Sequence, residues 1–169
     1  IIAIIKAYKQ LRKLCSAASS MNDLLKYKLV VAGSSGWLSK KIISEIEHVE
    51  FKDNILFINF IDDEDKEYVY NLASIFVYPS FFEGFGFPVL EAMKCGIPVI
   101  CSNNSSIPEI AGSGAILIDP PKPSQIVDAF KEILINNEDA KKVVNLSLSQ
   151  SNKFDWKKTA KNFLSIINN

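Results

Sequence analysis

At 169 residues, 48% of them hydrophobic, the chain is long enough for one domain with a buried core and too short for two. Nineteen basic residues balance nineteen acidic ones, so nothing in the composition suggests a nucleic-acid footprint or a polybasic membrane anchor. Cys15, Cys95 and Cys101 have neither CxxC nor metal-ligand spacing, which argues against a disulfide scaffold and fits reduced, buried thiols in a cytoplasmic protein.

The chain opens on IIAIIKAYKQL, an apolar stretch broken by Lys6 and Lys9. It is too short to span a bilayer and lacks a basic leader and a cleavage site, so it predicts a helix over residues 1–14. A helix that begins at Ile1 with neither a Met nor a capping residue before it leads us to expect a fragment of a longer polypeptide. Beyond it, strand-length runs at 28–32, 55–58, 75–78, 99–101 and 115–118 alternate with helical patterns at 38–49, 65–73, 88–95, 123–135, 139–148 and 156–167. This alternation predicts an α/β fold, a Rossmann-like doubly wound parallel sheet with helices on both faces, formed by residues 1–169 as one domain. Ligands of such sheets bind beyond the carboxyl ends of the strands, at segments 33–37, 59–65, 79–88, 102–108 and 119–121.

GSSG at 33–36 follows a strand, but it is not GxGxxG and no acid ends a following strand, so a turn over a packed Trp37 is expected there. His48 is the only histidine, and no Ser or Cys has a base partner, which argues against a hydrolase triad. Asp62, Asp63, Glu64 and Asp65 open a helix, where capping and dipole complementation explain them; no metal is expected.

The segment with chemical content is EGFGFPVLE, Glu83 to Glu91. Pro88 suits a first helical turn and Gly96 a helix end. The residues before Pro88 are Gly84, Phe85, Gly86 and Phe87, none of them a side-chain cap, so the helix-start amides of Gly86, Phe87, Val89 and Leu90 are expected to serve an anion such as a diphosphate. Glu91, one turn into the helix, can accept the two hydroxyls of a ribose; alone, it is better explained as complementing the helix dipole. Glu83, across the glycines, can hold the hydroxyls of a sugar on the same diphosphate; alone, it is an ordinary loop acid.

Taken together, EGFGFPVLEAMKCGIPV resembles the Glu-x7-Glu motif of the family 4 retaining glycosyltransferases, and the likeness extends over LVVAGSSGW, ILFINFIDDEDKEYVYNLASIFVYPS, SNNSSIPEIAGSGAILIDP and FDWKKTAKNFL. The resemblance implies the GT-B architecture, two Rossmann-like domains facing across a cleft, with this chain as the second. It implies that Glu83 is the catalytic-site acid, orienting the donor sugar, that Gly84, Phe85, Gly86, Phe87, Val89 and Leu90 hold the diphosphate, and that Glu91 holds the ribose. Main-chain groups near Phe60 and Ile61 are expected to face the nucleobase. The family's basic pair that neutralises the diphosphate, its first strand of this domain and its acceptor-binding N-terminal domain have no counterpart here.

The expected activity is therefore transfer of a sugar from a nucleotide-diphosphate donor to a saccharide or lipid-linked acceptor in surface-polysaccharide synthesis, complete only in the full-length enzyme. The GxxGW loop resembles that of mannosyl- and rhamnosyltransferase-like members. No cofactor beyond the donor substrate is implied, the partner is the missing N-terminal domain, and any membrane association is assigned to that part. Three rival readings compete. A glycosidase pair of carboxylates leaves the amide-rich site between the acids without a purpose. A non-catalytic sugar-nucleotide-binding domain shares the same donor site. A receiver-type domain lacks its acids at the strand ends. The closing stripe of Phe154, Trp156, Ala160, Phe163, Leu164 and Ile167 has helical spacing and is expected to pack in the core or against another domain.

Overall fold

The structure is a computed structural model, which describes residues 1–33, 40–47, 51–119 and 122–168. Helix α1 (Ile2–Ala17) buries Ile5, Ala7, Tyr8, Leu11 and Cys15, a stripe recurring at three- and four-residue intervals. A 3₁₀ segment, Ser19–Lys26, follows. Side chains from α1 tie it down: Tyr8 Oη donates to the Tyr27 carbonyl at 2.8 Å and Arg12 Nη1 to that of Leu25 at 3.0 Å.

Strand β1 (Leu29–Ala32) then pairs in parallel with β2 (Ile55–Ile58), Leu29 opposite Ile55 and Ala32 opposite Ile58, with α2 (Lys40–Glu47) in the crossover. Helix α3 (Asp63–Leu72) leads into β3 (Phe76–Tyr78), α4 (Phe87–Lys94), β4 (Val99–Ser102), α5 (Ile107–Ala111) and β5 (Ile116–Ile118). These strands form a second parallel sheet in the order β3-β4-β5, with Tyr78 opposite Cys101 and Cys101 opposite Leu117. Helices α6 (Pro123–Ile135), α7 (Asn137–Ser151) and α8 (Trp156–Ile167) close the chain.

The expected single sheet is thus two parallel sheets among the described residues, because β1 and β3 are not hydrogen-bonded to one another. Helix α1 spans both: Ile5 and Tyr8 pack with Ile42 and Ile55, while Ala7, Leu11 and Cys15 join Ile100, Ile118 and the α6 residues Ile126, Ala129, Phe130 and Ile133. The other face of the larger sheet is covered by α4 and α5, where Val89, Met93, Ile107 and Ile110 meet Val99 and Cys101. Strand β4 is therefore buried along its whole length and sends alternate residues into two cores, as the centre of a parallel sheet with helices on both faces must. All three cysteines are free; Cys15 and Cys101 are buried as expected, whereas Cys95 at the end of α4 is only half-buried. No helix among the described residues is long and apolar enough to cross a membrane.

Candidate functional site

The site grows from the turn between β3 and α4. Gly86 is the N-cap of α4 with φ +108, a left-handed conformation that side chains resist, and a Cβ there would lie 2.6 Å from Ile107 Cδ1. Gly84 differs, since a Cβ on it would meet nothing within 4 Å. With Pro88 in the first turn and no side-chain cap, the helix begins at Phe87, one residue earlier than its sequence suggests. The amides of Gly84, Phe85, Gly86 and Phe87 donate to no protein acceptor among the described residues. Gly84 and Phe87 are exposed but Gly86 is buried, and the unused amide of a buried residue is what an anion satisfies.

Two expected donors are corrected. The amides of Val89 and Leu90 both donate to the Gly86 carbonyl, at 3.0 and 3.2 Å, because the fourth residue after a cap makes the helix's first internal bond and the third tightens onto the same oxygen. Their side chains belong to the core, Val89 fully and Leu90 almost so. The open donors are therefore those of the loop, Gly84 to Phe87, together with the positive end of α4.

The two acids flank this turn, each half-buried and each holding one oxygen in reserve. Glu83 Oε1 accepts from Tyr78 Oη and from Ser80 Oγ, both at 2.7 Å, and Glu91 Oε2 accepts from Tyr70 Oη at 2.9 Å. Glu83 Oε2 and Glu91 Oε1 accept no protein donor among the described residues. Burial and the bond to Glu83 push the Tyr78 phenol up to about 12. Tyr70 is raised in the same way, by burial first and then by Glu91. Lys66 of α3 rises through its bond to Asp63 and then through the charge of Glu91.

The loop after β4 fixes the position of the turn. Ser105 Oγ accepts the Glu83 amide at 3.0 Å, Ser106 Oγ lies 2.9 and 2.8 Å from the carbonyls of Glu83 and Phe85, Asn104 Nδ2 donates to the Phe81 carbonyl at 2.8 Å, and Ser102 Oγ donates to that of Ser80. None of these side chains, nor Tyr70, Tyr78 and Ser80, was a candidate from sequence. Tyr78 and Ser80 reach Glu83 from within five residues and Tyr70 reaches Glu91 from α3, whereas Asn104 and Ser106 bond residues 23 positions away that the side-by-side pairing of β3 with β4 makes neighbours.

Phe60 and Ile61 occupy the turn between β2 and α3, with Phe60 71% exposed. The acid cluster opens α3 as expected, with Asp63, Glu64 and Asp65 in the first turn, but Asp62 caps through its carbonyl rather than its side chain. No group of three metal-ligating side chains converges among the described residues. Trp37, most of the GSSG turn and His48 lie outside the described residues. Of the closing stripe, Phe154 packs against the core beneath α4, whereas α8 buries no residue and Trp156, Phe163 and Ile167 are largely exposed. Aromatic contacts link it to the site, Trp156 stacking on Phe87 at 6.2 Å and Phe154 meeting Phe85 edge-on at 6.1 Å, with Phe85 4.6 Å from Phe87.

Chemically, an anion-receptive turn between two reserved carboxylate oxygens can hold a diphosphate with hydroxyl-bearing groups at both ends. Known proteins resemble this chain in sequence and in fold. O-antigen chain mannosyltransferase B of Escherichia coli is 35% identical over 136 residues, which cover 80% of this chain and 36% of that protein, so the chain spans little more than a third of that relative. The Anabaena protein HepE, solved in complex with UDP, superposes with a TM-score of 0.82 at 16% identity over 98% of this chain and 44% of its own. The C-terminal domain of a group 1 glycosyl transferase from Francisella tularensis superposes with a TM-score of 0.71 at 24% identity, over 90% of this chain and 77% of its own. The fold is that of the C-terminal half of a GT-B protein. Since the family model described as Glycosyl transferases group 1 matches residues 1–147, the chain belongs to the group 1 glycosyltransferase family.

Proposed function

We propose that this chain binds the nucleotide-diphosphate sugar for a retaining, metal-independent glycosyltransferase of surface-polysaccharide synthesis. The observation that carries the reading is the turn Gly84 to Phe87, whose amides lack protein acceptors among the described residues and which lies between two carboxylates that each keep one oxygen free of those residues. The diphosphate occupies the turn, Glu83 takes hydroxyls of the sugar, Glu91 takes those of the ribose, and main-chain groups near Phe60 and Ile61 meet the base. The mannosyltransferase relative in O-antigen synthesis and the UDP complex of HepE support the ligand class and the biological setting. Three free cysteines fit a cytoplasmic compartment.

Transfer requires charge to build on the departing diphosphate while the anomeric carbon becomes cationic. Preorganised amides and the α4 dipole stabilise the first, in a place that needs no reorganisation during the reaction. Configuration is retained through attack on the face the diphosphate leaves, its oxygen receiving the acceptor proton, with Glu83 orienting the sugar. No cofactor takes part, and the acceptor is bound by the other domain of the complete enzyme.

Calorimetric titration with UDP, GDP and dTDP tests the reading. One of them should bind, and Glu91→Ala should weaken it by about tenfold or more, the loss of a charged hydrogen-bond acceptor. Absence of binding of all three at millimolar concentration overturns the donor site, and an unchanged affinity removes Glu91 from the ribose.

A further inference from the structure

We propose that Tyr70 and Tyr78 are paired positioning residues, each holding one carboxylate oxygen of one site acid so that the other oxygen points to the ligand. Tyr78 bonds Glu83 and Tyr70 bonds Glu91, at 2.7 and 2.9 Å, so both acids are met by a phenol. The two rings are themselves fixed through Phe76. Tyr70 meets Phe76 edge-on at 5.3 Å and Phe76 stacks on Tyr78 at 5.8 Å, and all three pack against the core beneath α4. Phe76 and Tyr78 are locked into register with Val99 and Cys101 at the centre of the sheet.

A glutamate on a loop or an exposed helix turn samples several rotamers, and fixing it when ligand arrives costs affinity. Here the cost is met in the folded state: the aromatic ladder indexes both carboxylates to β3. Both phenols are raised, so they remain hydrogen-bond donors across the physiological range. Tyr78 with Glu83 stands at the strand end of the turn and Tyr70 with Glu91 at its helix end.

The inference rests on the donor reading above, and the experiment separates the two. GDP with GDP-mannose and UDP with UDP-glucose are titrated in parallel into the unsubstituted protein, Tyr70→Phe, Tyr78→Phe, Glu83→Gln, Glu91→Gln and the double variant Tyr70→Phe with Glu91→Gln. Phenylalanine keeps the ring packing, and thermal unfolding checks each fold. Tyr70→Phe should weaken nucleotide and nucleotide sugar alike, roughly five- to twentyfold. Tyr78→Phe should lower only the ratio of nucleotide-sugar to nucleotide affinity, a split that a general loss of structure does not produce. In the Glu91→Gln background, Tyr70→Phe should add less than about twofold, because a residue acting through another shows no separate effect once that other is gone. Unchanged affinities in both tyrosine variants, or additive losses in the double variant, overturn the positioning role while leaving the donor site standing. Unchanged affinities in both glutamine variants, or no binding of either pair or of dTDP to the unsubstituted protein, overturn the donor reading and the tyrosine roles with it.

Discussion

The hydroxyl of Ser105 accepts the main-chain amide of Glu83 at 3.0 Å, and Ser105 adopts a φ of +48 in doing so. A left-handed serine costs on the order of 1–3 kcal/mol unless its surroundings compensate, so the bond and the strain belong to one device. Ser105→Ala keeps the strain and loses the bond; it should destabilise the protein by about 1–2 kcal/mol in urea unfolding. Ser105→Gly relieves the strain and also loses the bond, so its stability should change little while nucleotide-sugar affinity falls. Equal affinities for Ser105→Gly and the unsubstituted protein would show that this bond does not position Glu83.

The two glycines of the turn separate folding from binding. Gly86→Ala must accommodate a φ of +108 and a Cβ 2.6 Å from Ile107 Cδ1, and should cost about 1–3 kcal/mol of stability. Gly84 has an ordinary φ and open space where a Cβ would go, so Gly84→Ala should leave stability within about 0.5 kcal/mol. If the turn receives a diphosphate, the added methyl stands in the ligand's approach and nucleotide affinity should still drop. Calorimetric titration beside denaturant unfolding reads both quantities.

The alternation of apolar runs gave the order of strands and helices because buried parallel strands and amphipathic helices write their periods directly into sequence. The start of α4 was legible to within one residue, since Pro88 and the glycines act locally. What escaped was not written in residue type or period. That Val89 and Leu90 spend their amides on Gly86 follows from helix geometry rather than residue type. The short α5 has only five residues, too few for a periodic pattern, and the break between β1 and β3 is a matter of pairing that no single segment records. The stripe of α8 was visible, but periodicity cannot tell a face that packs from one left exposed.

Alkaline pH should loosen the fold around the site. Tyr78 rises from 10.0 to about 12, by burial and by its bond to Glu83, and buried Cys101 on the neighbouring strand rises from 9.0 to about 12. In both cases the folded state holds its proton more tightly than the unfolded state. Their contribution is therefore complete below pH 9 and is lost as pH climbs through 10 toward 12, where the unfolded chain ionises first. Urea midpoints measured across that window should fall, and Tyr78→Phe should flatten the part above pH 10. A profile unchanged by the substitution would mean that the phenol is more accessible to hydroxide than its contacts indicate.

Helix α7 reaches the site indirectly, through the back of α5. Gln150 Nε2 donates to the carbonyls of Glu109 and Ile110, both at 3.2 Å, satisfying the last turn of a helix whose first turn abuts the loop holding Glu83. Gly112 and Gly114 let α7 approach this closely: a Cβ on Gly112 would lie 2.7 Å from Gln150 Cδ, and one on Gly114 the same distance from Ser147 Cα. The Gln150 side chain can rotate away, whereas the backbone at Ser147 cannot. Gly114→Ala should therefore destabilise by about 2–3 kcal/mol. Gln150→Leu leaves two carbonyls without a donor in a buried setting and should cost about 1–3 kcal/mol. Both changes sit behind α5, so their effect on nucleotide affinity should appear only as stability is lost. A binding defect in Gln150→Leu at temperatures where the protein is fully folded would show instead that α7 controls the geometry of the turn.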